Sequence, residues 1–249
     1  MIDIQRLSKH FTSKNGAPIT ALNQLTTQFH DGAITAILGL NGAGKSTLMR
    51  IIYGLISATE GDVHIGGYSI SSQANQARRT MGCLADDTGL YTRLSARENI
   101  QYFGRLHGLS PKEITPYCDE LIDLLGMHSI AERRCEGFSL GERMKTALAR
   151  AIVHRPHHIL LDEPTNGLDV LTTRAVRRLL LQLRDEGRCI LFSSHLMHEV
   201  EHLCDRIIVL HRGVVIADGD GAYLKDLTGQ ANLEDAYVTL IERQETPAC

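Results

Sequence analysis

Gly39-Leu40-Asn41-Gly42-Ala43-Gly44-Lys45-Ser46-Thr47 decides how this chain of 249 residues folds. A glycine, four residues and then Gly-Lys-Ser is the spacing of a phosphate-binding loop, and the flanking sequence has the character that such a loop requires. Ala33-Ile34-Thr35-Ala36-Ile37-Leu38 is a short buried-strand run, and Leu48, Ile51, Ile52 and Leu55 follow at helical spacing. Strand, glycine loop and helix together predict an α/β fold. Gly42 and Gly44 let backbone N–H groups point at phosphate oxygens, and the positive end of the following helix strengthens their field. Gly39, Asn41, Gly42, Ala43, Gly44, Lys45, Ser46 and Thr47 are therefore read as the cradle for a nucleoside triphosphate. Lys45 is assigned to the β- and γ-phosphates, and the Ser46 hydroxyl to Mg²⁺.

Upstream of the loop, Ile2, Ile4 and Leu7 are spaced as a strand, Ser13 to Pro18 reads as a turn, and Ile19 to Phe29 continues as strand. This is an antiparallel preface to a parallel core. Downstream, Glu60 to Gly67 predicts another short strand, a polar helical stretch runs through Arg79, and Met81 to Ala85 is strand again. From Asp86 to Gly137 the strand pattern gives way to helical periodicity, with Ile100, Phe103 and Leu106 on one face and a second helix ending at Gly126. Ser110-Pro111-Lys112-Glu113 has a capping-box spacing with proline at the first helical position, and Pro116 is expected to kink or restart that helix. Residues 86–137 are thus read as an α-helical subdomain inserted in a core made of 1–85 and 138–249. The core resumes with a helix from Leu140, strands at Ile159 to Leu161 and Cys189 to Phe192, a helix from Thr172 to Glu186, and a short helix at Leu196 to Leu203. A hairpin around His211-Arg212-Gly213 follows, then an amphipathic helix from Leu233 to Ile241.

Composition narrows the function. A net charge of -3 argues against a nucleic-acid backbone as main partner. The six cysteines are scattered without a CxxC pair, which suggests neither a zinc site nor a disulfide framework. No apolar run reaches membrane-spanning length, and the polar start is unlike a signal peptide. Attachment to a membrane would have to come through a partner.

Ile159-Leu160-Leu161-Asp162-Glu163 delivers two carboxylates at the C-terminal edge of an apolar strand, where open α/β sheets bind ligands. Asp162 is placed to hold Mg²⁺ with Ser46, and Glu163 to polarise the attacking water. Asp162-Glu163-Pro164-Thr165-Asn166-Gly167-Leu168-Asp169, with Phe138-Ser139-Leu140-Gly141-Glu142 before it and Ser193-Ser194-His195 after it, resembles the nucleotide-binding subunit of an ABC transporter. The resemblance spans nearly the whole chain. It implies a P-loop ATPase core with a mainly parallel sheet, an N-terminal antiparallel β subdomain and the helical insert, using ATP and Mg²⁺. It also implies that Ser139, Gly141 and Glu142 form the signature segment, which in a head-to-tail homodimer caps the γ-phosphate held by the other copy. The physics agrees, since Ser139 precedes a helix whose first N–H groups face outward, although a plain N-cap would look the same. By the same resemblance His195 is the switch histidine on the γ-phosphate, Asp169 the acid that crosses the dimer interface, and Phe11 the aromatic that stacks on adenine. On residue type alone Phe11 reads as a core aromatic, and the other histidines, His157 and His158 among them, as solvated surface residues.

Three departures mark this chain. Leu40 stands for a common proline in the loop. Asp86 aligns with the family's glutamine beside Mg²⁺, and a carboxylate accepts but cannot donate a hydrogen bond. Leu140 and Glu142 replace glycine and glutamine in the signature, and a negative Glu142 near polyphosphate could weaken closure. Lys45, Asp162, Glu163 and His195 are all present, so hydrolysis is expected. The resemblance further implies a separate transmembrane permease reached through the Asp86 to Gly104 region, a second ATP-binding copy and a place on the inner face of a bacterial membrane. Asp86 to Tyr91 is most similar to sodium-exporter ATPases. A DNA-repair ATPase would carry a long coiled coil between loop and signature, a translation-associated one two P-loops, and a regulatory module no Glu163.

Overall fold

The computed structural model describes residues 1–13, 15–85, 89–194 and 196–245. Strands β1 (Ile2–Thr12) and β2 (Pro18–Phe29) pair antiparallel, and β3 (Ala33–Leu38) runs into the glycine loop and helix α1 (Lys45–Ile52). β4 (Glu60–Ile65), β5 (Tyr68–Ser69), α2 (Ala74–Arg79) and β6 (Met81–Leu84) lead to the helical insert, built on α3 (Ala96–Leu106) and α4 (Pro111–Leu124). The core returns with α5 (Leu140–Ile152), β7 (His158–Asp162), α6 (Val170–Asp185), β8 (Cys189–Ser193) and α7 (Met197–Leu203). It ends with β9 (Arg206–His211), β10 (Val214–Gly219), α8 (Gly221–Thr228) and α9 (Leu233–Glu245).

One sheet is antiparallel, in the order β2-β1-β4-β5. The other has the order β10-β9-β3-β8-β7-β6 and is parallel except for β10. Strands covered on both faces read as continuous apolar runs, and β3, β7 and β8 do so. Their alternation divides the interior into two cores. Ile37, Leu160 and Leu191 face α1 and the antiparallel sheet, packing with Ile4, Leu7, Leu48 and Ile52. Their neighbours Ala36, Leu38, Ile159, Leu161, Ile190 and Phe192 face the opposite side, against Leu148 of α5 and Val176 and Leu180 of α6. Helix α1 is thereby fixed on one side of the sheet and α5 on the other.

The insert departs from the periodicity in instructive ways. Ile100 is fully buried, but Leu106 sits in the last turn of α3 with 62% of its surface exposed, because the face narrows where the chain leaves the packed region. Helix α4 runs unbroken through Pro116, which lies on the exposed side with Lys112, so the carbonyl freed by the missing N–H faces solvent. Leu55 lies beyond the end of α1 and is 67% exposed, contrary to its place in the helical spacing. Asn99, entirely buried, receives the Tyr91 N–H and donates to the carbonyls of Tyr91 and Ser95, which locks the entry to α3. Cys118, Cys135 and Cys189 are free and buried, while Cys83 is exposed; Cys249 lies outside the described residues.

Candidate active site

The loop after β3 needs its glycines for steric reasons. A side chain at Gly39 would place Cβ 2.5 Å from the Leu210 carbonyl oxygen, and one at Gly44 would place it 2.5 Å from that of Ala21. Gly44 also adopts φ 110° and Gly42 φ 82°, in the left-handed region that L side chains disfavour. The Ala43 N–H donates to the Leu40 carbonyl at 3.0 Å, and the Ala43 carbonyl accepts from Gly213 at 2.9 Å, so the loop is tied to the β9–β10 turn. Lys45 Nζ donates to the carbonyls of Gly39 at 2.6 Å and Leu40 at 3.3 Å, which leaves one of its three protons to point outward. Burial lowers the pKa of Lys45, and the nearby carboxylates of Glu163 and Asp162 oppose that shift. A cation is thus held against two acids. Ser46 is exposed at the first turn of α1.

Asp162 closes β7 directly beside Ser193 of β8, and the Ser193 hydroxyl donates to Asp162 Oδ1 at 2.5 Å. Only one carboxylate oxygen then carries this bond, and the other keeps its capacity for a cation. Glu163 turns off the strand at φ 50°, an uncommon conformation for a residue other than glycine, and its N–H is shared between the Ser193 carbonyl and hydroxyl, each at 3.2 Å. Ser193 therefore positions both acids. Sequence reading assigned it no role, although a hydroxyl ending the strand next to an Asp-Glu strand was a visible signal.

Phe11 is not a core aromatic. It is 41% exposed and pairs with Ile19 on β2, the strand whose Ala21 carbonyl abuts Gly44. Lys9 Nζ lies 5.1 Å from its centroid. Asp86 and His195 lie outside the described residues.

Ser139 caps α5 in a reciprocal box. Its hydroxyl accepts from the Glu142 N–H at 3.3 Å, and Glu142 Oε2 accepts the Ser139 N–H at 2.8 Å. Glu142 also pairs with Arg133 at 3.1 Å, and its bond from the Ser139 backbone leads the effects that hold its carboxyl below the usual range. Its charge is compensated within the chain, which relieves the repulsion expected from the sequence. Leu140 packs on the next turn, since a Cβ on Gly167 would meet Leu140 Cδ2 at 2.8 Å. Gly141 faces Asp169 and Thr172 of α6, where a Cβ would lie 3.1 Å from Thr172 Oγ1. Asp169 is the N-cap of α6 and accepts from the N–H groups of Leu171 and Thr172 and the Thr172 hydroxyl. The signature and this cap form one surface.

Hydroxyl and carboxylate oxygens at Ser46 and Asp162 suit a hard cation such as Mg²⁺, and the loop suits polyphosphate. Lys45→Ala should remove a charge-assisted contact worth roughly 1.5–3 kcal/mol, so ATP affinity is expected to fall about 10- to 100-fold in a fluorescent-nucleotide titration. Unchanged affinity would contradict the assignment of the loop.

The ABC transporter family model matches residues 22–166. The chain is 41% identical over 220 residues to the ABC transporter ATP-binding protein NatA of Bacillus subtilis, covering 88% of this chain and 89% of that protein. It is 33% identical over 237 residues to the lantibiotic transport ATP-binding protein SrtF of Streptococcus pyogenes, covering 95% and 96%. Its fold superposes with TM-score 0.81 and 26% identity on a dimeric post-hydrolysis state of the ATP-binding cassette MJ0796 bound to ADP and Pi, over 88% of this chain and 98% of that one.

Proposed function

The chain belongs to the ABC transporter family as an ATP-binding subunit and ATPase, and from that premise we propose that it powers an exporter whose permease is a separate membrane protein. The observation that carries this reading is the convergence of Lys45, Asp162 and Glu163 at one edge of the parallel sheet, with Ser193 orienting both acids. Mg²⁺ held by Ser46 and Asp162 would supply charge neutralisation on the phosphates. Glu163 accepts a proton from the attacking water, Lys45 fixes the β- and γ-phosphates, and His195 contacts the γ-phosphate. Phe11 stacks on adenine. Asp86 is assigned to the cation, as the residue aligned with the family's glutamine. Two copies close head to tail, so that Ser139 and Gly141 of each cap the γ-phosphate on the other, with Asp169 at the interface.

The permease reads the cycle through the insert. A cleft of about 340 Å³ opens between the free edge of the parallel sheet and α3, lined by Tyr53, Leu55, Cys83, Phe103, His107 and Arg150. Exposed Leu55 at its mouth suits an apolar permease segment. No described helix is long and apolar enough to cross a membrane; the proposed permease would hold the chain at the inner face of a bacterial membrane. Sodium is the cargo we favour, on the resemblance of Asp86 to Tyr91 to sodium-exporter ATPases; a lantibiotic-like peptide or drug is the second reading, favoured by the likeness to SrtF.

Affinity purification of the chain from gently solubilised membranes should bring down a polytopic protein in fixed ratio, and Leu55→Asp should release it while ATP binding persists. Recovery of ribosomal or DNA-repair proteins without a membrane protein would separate the ATPase from transport.

A further inference from the structure

At the opposite end of the sheet from the nucleotide loop, three side chains from two segments converge. Asp31 lies in the turn between β2 and β3, His158 opens β7 and His157 immediately precedes it. Their ligand atoms all lie within 4.8 Å of one another, and His157 Nε2 is 3.0 Å from Asp31 Oδ1. His158 is not the surface residue its sequence context suggested: it is 2% exposed. The Met1 nitrogen sits against this group, bonded to Asp31 Oδ1 and 3.2 Å from His158 Nε2, so a positively charged atom already fills the point of convergence.

The buried histidine is aimed. Thr80 donates its hydroxyl proton to the Ala77 carbonyl at 2.8 Å, so at the 3.2 Å contact with His158 Nδ1 it can only accept. His158 therefore carries its proton on Nδ1 and turns the Nε2 lone pair toward Asp31 and the Met1 nitrogen. A ring nitrogen fixed by a hydrogen bond on the far side is the arrangement by which proteins orient imidazole for a metal. Ligands about 2.0 Å from a tetrahedral zinc stand about 3.3 Å apart; His157 and Asp31 are already at 3.0 Å, and a small inward shift of His158 within the 4.8 Å cluster completes the set.

We propose that Asp31, His157 and His158 form a binding site for a zinc-like divalent transition metal, remote from ATP, with Thr80 as the positioning residue. Two imidazoles and one carboxylate are a ligand set suited to Zn²⁺ over Mg²⁺. Water, in the place the Met1 nitrogen takes here, supplies the fourth ligand. Because the site joins the β2–β3 turn to the start of β7, it fastens the antiparallel sheet to the parallel one and does no chemistry on the nucleotide.

The test uses the full chain carrying a histidine-free tag at its C-terminal end, in excess Mg²⁺ so that the nucleotide site does not compete. One equivalent of Co²⁺ should bind with the visible absorption of a tetrahedral centre, and Zn²⁺ should displace it. Saturating Zn²⁺ at a hundredfold excess over Kd should raise Tm by roughly 5 to 10 °C. His157→Ala and Asp31→Ala change surface side chains and should fold normally, yet lower affinity about tenfold or more and abolish the Co²⁺ spectrum. Thr80→Val should weaken binding about tenfold without removing a ligand. The proposal fails if the wild-type chain takes up no stoichiometric Co²⁺, or if both surface variants bind it as well as the wild type.

Discussion

Replacing Glu163 by glutamine is expected to lower the maximal rate of ATP hydrolysis about 100-fold or more while the affinity for ATP changes little. A positioned general base contributes roughly 10²–10⁴ to a rate, and an amide of the same shape cannot accept the proton of water. The Glu163 side chain is not needed to bind phosphate, a task that falls to the loop and Lys45, so the loss should appear in kcat and leave KM nearly unchanged. The backbone supports this separation. Glu163 is held at φ 50° by its N–H bonds to Ser193, and glutamine has the same branching and can take the same turn. A steady-state phosphate-release assay on purified chain reads the effect. Turnover within a fewfold of wild type would mean that another group activates the water.

The site divides cleanly into what local pattern carries and what it does not. The phosphate loop was legible because its chemistry requires residues of fixed type at fixed spacing, and the clashes that a Cβ would meet at Gly39 and Gly44 account for those glycines. The sheet was legible because β3, β7 and β8 are buried on both faces and so appear as unbroken apolar runs. The order of the strands was not, since pairing of β3 with β8 and β9 joins residues far apart in the chain and leaves no periodic trace. Helix α8 also escaped notice, its eight residues beginning at Gly221 and burying only Leu224 and Thr228. Ser193 and His158 show a third kind of gap. Each acts through a neighbour from another strand or turn, Asp162 for one and Thr80 for the other, and a side chain's partners across a fold are not written beside it. Glu142 shows the reverse, a charge that looks unfavourable in sequence and is compensated by Arg133 and the Ser139 N–H in space.

Arg177→Ala should cost about 2–3 kcal/mol of stability, because it leaves the Glu199 carboxylate buried without its main counter-charge. The Glu199 side chain is only 4% exposed, and Arg177 holds both of its oxygens, Nη2 at 2.6 Å and Nε at 3.2 Å. Removing one partner of such a pair leaves the desolvation of the other unopposed, a loss of roughly 3–5 kcal/mol when both are fully buried. Arg177 is 28% exposed and His198 Nε2 lies 3.1 Å from the same carboxylate, so water and the imidazole recover part of that loss. For a chain of this size the remainder corresponds to a fall in Tm of roughly 5 to 10 °C. Replacing both residues together, Arg177→Met with Glu199→Leu, should restore much of the stability, since an apolar pair needs no counter-charge. The pair joins α6, whose N-cap is Asp169, to α7, which begins two residues after His195, so its loss should also loosen the segments that carry the proposed interface acid and the proposed γ-phosphate contact. Thermal unfolding of Arg177→Met, Glu199→Leu and the double variant gives the coupling directly. A Tm for Arg177→Ala within about 1 °C of wild type would show that solvent replaces the guanidinium and that the pair holds neither helix.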